Sequence, residues 1–187
     1  MSSHHIVREN QEPALILGSI QDLPADYIGQ LLEWSPTVLA SAYTVDFLLA
    51  EGIKVDIVCT NDAAIYAQEE IQILSSPQDF VLACVTHLIA KDYGAVNIVN
   101  SYIPKELSTL ADRINVVLFC AGIRYVFVRE HYEKWVVAGT RIVVAEHTLK
   151  SFVNLRKISV DTFETEDDGF FYVDLNTGDF VAIGEKI

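Results

Sequence analysis

The side chains best suited to nucleophilic or metal chemistry, cysteine and histidine, are dispersed along this chain. Its three cysteines each lie inside an apolar stretch, at Cys59, Cys84 and Cys120. A zinc site needs clustered ligands, whereas His87, His131 and His147 are far apart and follow no ligand spacing. An odd number of cysteines in apolar surroundings predicts buried free thiols, which are typical of a protein in the reducing cytoplasm.

Two other groups of residues have side chains that are suited to binding a cation or a ligand. The acidic run from Glu164 to Asp168 offers oxygen ligands to a divalent cation, but it precedes a predicted hairpin, where such runs are usually solvated loops. The aromatic residues of the same region are suited to the floor of a pocket, although aromatics in strands normally pack in a core. They are Trp135, Phe170, Phe171 and Tyr172. We predict a solvated loop and core packing at these two places.

Composition argues against several classes of function. The nine glycines never cluster, so the chain has neither a Gly-x-x-x-x-Gly-Lys phosphate loop nor a Gly-x-Gly-x-x-Gly motif. A formal charge of −13 repels phosphate backbones and argues against nucleic-acid binding. No apolar run reaches the roughly 18–20 residues of a membrane helix, and polar residues 1–13 lack the core of a signal peptide. We therefore predict a protein that binds neither nucleic acid nor membrane.

The first part of the chain alternates between strand and helix patterns. Short apolar runs predict strands at 14–20, 37–42, 54–60, 71–74 and 95–99. Helical spacing predicts helices at 22–34, 44–51, 63–70 and 78–93. The last of these has Ser76 as its N-cap and Pro77 as its first residue, and Gly52 and Gly94 end two helices. Because parallel strands need long crossovers, we predict an α/β fold with a mostly parallel sheet and helices on both faces.

The segment 106–121 has the most regular helical spacing in the chain. Seven apolar residues at intervals of three and four form one stripe, namely Leu107, Leu110, Ala111, Ile114, Val117, Leu118 and Ala121. Polar residues lie off this stripe, and Gly122 follows it. We predict an amphipathic helix over 106–121.

After Gly122 the apolar period changes from 3.6 to 2. Short β-branched or aromatic runs occur at 125–128, 135–137, 141–145, 152–155, 158–162, 170–175 and 180–183. Such runs, separated by turn signals, predict a smaller antiparallel, β-sandwich-like domain with a terminal hairpin at 170–183. We place the boundary near Ile123, between an α/β domain at 1–122 and a β-rich domain at 123–187.

This order of elements resembles the thiamin pyrophosphokinase family, and local matches extend over nearly the whole chain. Residues 15–19 are similar to the family's opening strand, and 48–58 to the segment leading into its main metal motif. Residues 77–80 and 109–112 are similar to a second acidic motif and to a helix segment. The resemblance implies transfer of diphosphate from ATP to thiamin with Mg²⁺, a thiamin-binding β domain, and a homodimer with thiamin at the interface.

Most of the family's metal-binding carboxylates are replaced in this chain. Ala42 stands where the family has the Asp of Ala-Asp-Gly-Gly-Ala-Asn, and residues 60–64 replace its Gly-Asp-Phe-Asp-Ser motif. Only Asp79 remains of the second motif, and Leu107 falls on a catalytic aspartate position. Diphosphate transfer needs Mg²⁺ held by carboxylates and positioned cationic groups. The resemblance therefore implies a scaffold with lost or much reduced activity, which binds thiamin or one of its phosphate esters.

Two hypotheses about the site stay open. In one, Asp62, Asp79 and Lys105 are catalytic, with Asp62 and Asp79 on Mg²⁺ and with Asn61, Asp62 and Lys105 on the nucleotide. Asp62 follows a predicted strand, and ligands of α/β sheets collect at the carboxyl ends of strands. In the other, these residues are ordinary loop residues of an acidic protein. Asp56 is expected to have a structural role at the start of a strand in either case.

Overall fold

The structure, a computed structural model, describes residues 12–21, 23–61, 71–75 and 79–187. Within them the helices are α1 (Ala25–Leu32), α2 (Val45–Ala50), α3 (Phe80–Ala90) and α4 (Leu107–Leu110). The first strands are β1 (Ala14–Leu17), β2 (Val38–Ser41), β3 (Ile57–Cys59), β4 (Gln72–Leu74), β5 (Ala95–Val99) and β6 (Asn115–Cys120). They are followed by β7 (Ile123–Val128), β8 (His131–Val136), β9 (Arg141–Val143), β10 (Leu149–Val153), β11 (Arg156–Ser159), β12 (Thr162–Glu164), β13 (Gly169–Leu175) and β14 (Val181–Lys186).

Eleven of these strands form one mixed sheet, in the order β11-β12-β9-β14-β7-β6-β5-β1-β2-β3-β4. The six strands from β6 to β4 run parallel to one another. From the β6–β7 hairpin onward, each neighbouring pair is antiparallel. The predicted parallel portion is present, but the described residues contain more sheet and fewer helices than the sequence patterns predict.

The parallel strands carry continuous apolar runs because both of their faces are covered. On β1, Ala14 and Ile16 belong to an apolar cluster that includes residues of α3, whereas Leu15 and Leu17 belong to a second cluster with residues of α1 and α2. All four side chains are fully buried. Burial of each Leu or Ile contributes roughly 1.5–3 kcal/mol to stability, so β1 is the centre of this half of the molecule.

A smaller antiparallel sheet, in the order β10-β13-β8, completes the C-terminal part. Its inner face shares an apolar cluster with the antiparallel strands of the large sheet. Phe171 and Val173 come from β13, while Phe163 and Ile183 come from β12 and β14. The smaller antiparallel sheet expected from the change of period is therefore present.

The predicted helix over 106–121 is wrong. Residues Leu107–Leu110 are helical, but Asn115–Cys120 form β6, which pairs with β5 on one side and β7 on the other. Nearly every residue between Ile114 and Ala121 is apolar, so the run satisfies a helical spacing as easily as a strand spacing. Its β-branched residues and its burial between two strands decide the outcome in favour of strand.

The predicted terminal hairpin at 170–183 is also wrong. β13 pairs with β8 and β10 in the small sheet, whereas β14 pairs with β7 and β9 in the large one. Residues 176–180 therefore cross between two layers, and their turn residues suit a crossing as well as a hairpin. Because β6 and β7 pair on either side of residue 122, one sheet continues past Ile123. The domain division at 122 and 123 stays a prediction.

The ends of the helices follow the sequence signals in part. Gly52, after α2, has the positive φ of 72° expected of a residue that ends a helix. After α3 that conformation falls on Asp92 rather than Gly94, and Asp79 caps its start. Ser76 and Pro77, and the predicted helix at 63–70, lie outside the described residues. In the described ranges, no helix has the length and apolar character required to span a membrane.

Candidate functional site

Four neighbouring parallel strands end at one edge of the large sheet, and the chain diverges there. From β1 it continues to α1, which packs in one apolar cluster, whereas from β5 it continues to α4, whose Leu107 is buried in the other. A divergence of this kind leaves a crevice outside the carboxyl ends of the strands, where α/β proteins bind ligands. A cleft of about 440 Å³ lies at this position.

The described lining of the cleft consists of backbone turns, uncharged polar side chains and aromatic rings. It comprises Gly18, Ser41, Ala42, Tyr43, Cys59, Thr60, Asn61, Phe80, Asn100, Ser101 and Tyr102. A hollow of about 520 Å³ lies at the opposite, amino end of β2 and is lined in part by Lys54 and Asp56, which form an ion pair. We assign the site to the carboxyl-end cleft because the strand topology places ligands there.

Thr44 holds two sides of this cleft together. It is buried, and its Oγ1 donates to the carbonyl oxygen of Leu17 at 2.7 Å, at the end of β1. The same oxygen accepts from the backbone N–H of Ser41 at 3.2 Å, at the end of β2. The turn that carries Tyr43 is therefore fixed to β1, although Tyr43 itself is 96% exposed.

Gly18 and Asn100 meet at the floor of the cleft, at the ends of β1 and β5. A Cβ atom added to Gly18 would overlap Asn100 Oδ1 and stand 3.0 Å from Phe80 Cε1. The glycine therefore allows Asn100 to occupy its position. Asn100 is only 3% exposed, and its Nδ2 donates to the carbonyl oxygen of Tyr102 at 2.8 Å. No donor among the described residues reaches its Oδ1.

Asp79 is committed to hydrogen bonds at the start of α3. Its Oδ1 accepts from the N–H of Leu82 at 2.9 Å, which makes it the N-cap of this helix. Its Oδ2 accepts from the hydroxyl of Tyr102 at 2.5 Å. Burial raises the pKa of Tyr102 to about 12, and the neighbouring Asp79 carboxylate adds to the effect. The phenol is therefore neutral and a donor at physiological pH.

The other predicted site residues lie in several separate places. Asn61 lines the cleft directly after β3, while Asp62 lies outside the described residues. Lys105 is exposed in the connection between β5 and α4 and is not among the described lining residues. Asp56 lies at the amino end of β3, where its Oδ2 accepts from Val38 N at 2.9 Å, in the expected structural role. Among the described residues, no group of three or more acidic, His or Cys side chains is arranged to hold a metal ion.

Residues of the acidic run, which begins with Glu164 at the end of β12, make hydrogen bonds and an ion pair with neighbouring segments. Glu164 pairs with Arg156 at 2.8 Å, and Asp168 Oδ1 accepts from the N–H of Ala138 at 2.7 Å. The N–H of Asp167 donates to Asn154 Oδ1 at 2.9 Å. These contacts support the prediction of a solvated loop.

Of the four aromatic residues that were expected in a core, only Phe171 belongs to the buried cluster, and Tyr172 is half-buried. Phe171 is buried, but Trp135 and Phe170 are 54% and 63% exposed. These two lie opposite each other on β8 and β13, on the outer face of the sheet. Position in a strand predicts their alternation but does not predict which face is covered.

The three cysteines are buried and are not joined in disulfides, as predicted. The side chains of Cys59 and Cys84 are hydrogen bonded, and this contact, together with burial, raises the pKa of Cys84. For His87, burial lowers the pKa, with a further contribution from Lys91. These groups therefore favour their uncharged forms.

Sequence reasoning missed Gly18, Asn100 and Tyr102 as site residues. One signal was available, since each lies within three residues of the end of a predicted strand. In a parallel sheet those positions share an edge.

No protein-family profile and no curated protein matches the sequence. Three solved structures with similar folds are thiamin pyrophosphokinases. The Bacillus subtilis enzyme has a TM-score of 0.61 at 11% identity over 92% of this chain and 98% of its own. The yeast enzyme has a TM-score of 0.65 at 9% identity, over 95% of this chain and 87% of its own. The Candida albicans enzyme has a TM-score of 0.62 at 8% identity, over 94% of this chain and 90% of its own. The chain therefore has the fold that the sequence resemblance implies.

Proposed function

We propose that this chain is a divergent thiamin pyrophosphokinase-like protein that binds a small ligand at the carboxyl-end cleft, with ATP:thiamin diphosphotransferase activity lost or much reduced. The observation that carries the proposal is the state of Asp79, the one carboxylate kept from the second acidic motif. Both of its oxygens accept hydrogen bonds from within the protein, from Leu82 N and Tyr102 Oη. A carboxylate used in this way is a helix cap and a loop anchor.

The chemistry of diphosphate transfer explains why this matters. The reaction concentrates negative charge on the phosphates, and Mg²⁺ ions held by carboxylates normally neutralise it. Magnesium favours oxygen ligands in near-octahedral geometry and keeps several of its waters. Asp79 could offer such an ion only the remaining lone pair of an oxygen whose position is already set by the N–H of Leu82 or the hydroxyl of Tyr102. We propose that Mg²⁺ and ATP are not resident cofactors of this chain.

One observation favours the alternative of an active thiamin pyrophosphokinase with relocated carboxylates. Asn61 lies in the cleft wall, and Asp62 is its neighbour in the sequence. In this alternative, Asp62 and Asp79 hold Mg²⁺ while Asn61 and Lys105 contact the nucleotide.

An assay of thiamin-dependent AMP formation from Mg·ATP distinguishes the two functions. We expect no turnover above a protein-free blank. Turnover that is abolished in Asp62→Asn, but kept in Asp179→Asn, would establish the alternative instead. Asp179 is a suitable control because it lies in the antiparallel part, in the turn before β14.

We also propose a homodimer in the cytoplasm. The outer face of the small sheet, with Trp135 opposite Phe170, is an exposed apolar surface of the kind that proteins cover by association. Sedimentation analysis should give twice the chain mass of 20.9 kDa, and Trp135→Glu should give the monomer mass. A monomer at every concentration would contradict this.

A further inference from the structure

The carboxyl-end cleft has the wrong electrostatics for a polyphosphate. Its described lining contains no Lys or Arg. Proteins bind phosphates through cationic side chains, metal ions or free backbone N–H groups.

The start of α3, which adjoins the cleft through Phe80, is already occupied by an anion. The Asp79 carboxylate accepts a hydrogen bond from the N–H of Leu82 in the first turn of the helix. First-turn N–H groups have no acceptor within the helix, and a phosphate at a helix start binds to them. The negative charge of Asp79 lies next to the cleft lining, because Asp79 accepts a hydrogen bond from the hydroxyl of Tyr102, which lines the cleft. A second anion at this position would meet like-charge repulsion.

The side-chain oxygen of the buried Asn100 has no hydrogen-bond donor among the described residues. Asn100 as a whole residue is 3% exposed. Buried acceptors are costly when they are left without a partner. A ligand in the cleft with an N–H group would supply the missing bond.

Aromatic rings complete the surface that such a ligand would meet. Tyr43 is 96% exposed and Tyr102 is 46% exposed, and both line the cleft with the partly buried ring of Phe80. Flat heteroaromatic molecules stack on rings of this kind. The hydroxyls of Ser41 and Ser101 and the amide of Asn61 provide further neutral hydrogen-bonding groups.

We infer that the carboxyl-end cleft binds a planar nitrogen heterocycle that bears an amino group and no phosphate, with the amino group donating to Asn100 Oδ1 and the ring stacking on Tyr43. This inference rests on the proposed function and narrows its ligand. It predicts that each added phosphate weakens binding instead of strengthening it.

Calorimetric titration of the full chain with matched pairs of probes tests the inference. The pairs are thiamin with thiamin diphosphate and adenosine with ATP, each with and without Mg²⁺, because both unphosphorylated members carry an aminopyrimidine ring. We expect at least one of them to bind, and its phosphorylated partner to bind about tenfold more weakly or not at all. Tighter binding of the phosphorylated partner, or no binding of any probe, overturns the inference.

Two variants locate the binding. Tyr43→Ala should weaken the bound probe about five- to tenfold through loss of stacking, and the residue is too exposed for its loss to unfold the protein. Trp34→Ala is the matched control, since Trp34 is 72% exposed and lies outside the described lining. Equal effects of the two variants would contradict the assignment to this cleft. AMP formation would refute the proposed function, whereas tight ATP binding without AMP formation would refute the inference alone.

Discussion

Tyr102 and Asp79, which are 23 residues apart in the sequence, are joined by a hydrogen bond of 2.5 Å. The bond connects the loop after β5 to the first turn of α3. Since Asp79 also caps that helix, one side chain determines both where α3 begins and where one wall of the cleft stands. Changes at this pair should therefore affect stability and the cleft together.

Two replacements of Asp79 separate its role as the N-cap of α3 from its negative charge. Asp79→Ala removes the acceptors for Leu82 N and Tyr102 Oη, and we expect it to lower the free energy of unfolding by about 1–2 kcal/mol. Asp79→Asn keeps a side-chain oxygen and should lose less than half as much, since Asn is an equally good N-cap. Urea denaturation measures both. Equal losses in the two variants would show that the cap contributes little.

Tyr102→Phe tests the other half of the pair. It removes the donor to Asp79 Oδ2 and leaves the ring in place, so we expect a loss of about 0.5–1.5 kcal/mol in the free energy of unfolding. Tyr43→Phe removes the hydroxyl of a residue that is almost fully exposed and should change nothing measurable. The pair of variants thus isolates the hydrogen bond from the general effect of a lost hydroxyl.

The same bond makes stability depend on alkaline pH. The pKa of Tyr102 is raised from 10.0 to about 12 in the folded protein, by burial first and by Asp79 second. The folded chain therefore keeps a proton that the unfolded chain loses as the pH rises from 10. The contribution of Tyr102 is complete below pH 10 and is lost as the pH approaches 12. The stability difference between wild type and Tyr102→Phe should shrink over that range, and a constant difference would contradict the assignment.

Gly18 offers a steric test of the cleft floor. Gly18→Ala brings a Cβ atom into Asn100 Oδ1 and towards Phe80, and we expect a loss of about 1–3 kcal/mol in unfolding free energy. Gly29→Ala, in α1, is the matched control because nothing lies within 4 Å of its added Cβ. That control should gain up to about 1 kcal/mol from the better helix propensity of alanine. Opposite signs are the expected result in thermal or urea unfolding.

The parts of the fold that the sequence predicts are those where local signals agree with tertiary burial. β5 was predicted to the residue because a short apolar run lies between two turn signals. The prediction failed where an unbroken apolar run, Ile114 to Cys120, satisfied two periods at once. The strand is selected by its pairing with β7, its neighbour in the sequence, and with β5, which lies about 15 residues earlier in the chain.

The site was predictable in position but not in composition. The end of β3 was expected to carry ligands, and Asn61 lies in the cleft. For Asp79 the sequence left open a metal ligand or a loop carboxylate, and no local pattern connects it to Tyr102, whose hydroxyl donates to it. The contact of Gly18 with Asn100 spans 82 positions and arises because β1 and β5 are neighbours in the sheet.

The position of β14 has a consequence for biosynthesis. This late strand lies between β7 and β9, so it alone joins β9, β12 and β11 to the rest of the large sheet. A nascent chain can pair its parallel strands as soon as β6 has left the ribosome. Until residues 181–186 also emerge, however, the edges of β7 and β9 have no strand between them and are open to pairing with other chains. The antiparallel half is therefore the part of this protein whose early folding depends most on protection by chaperones.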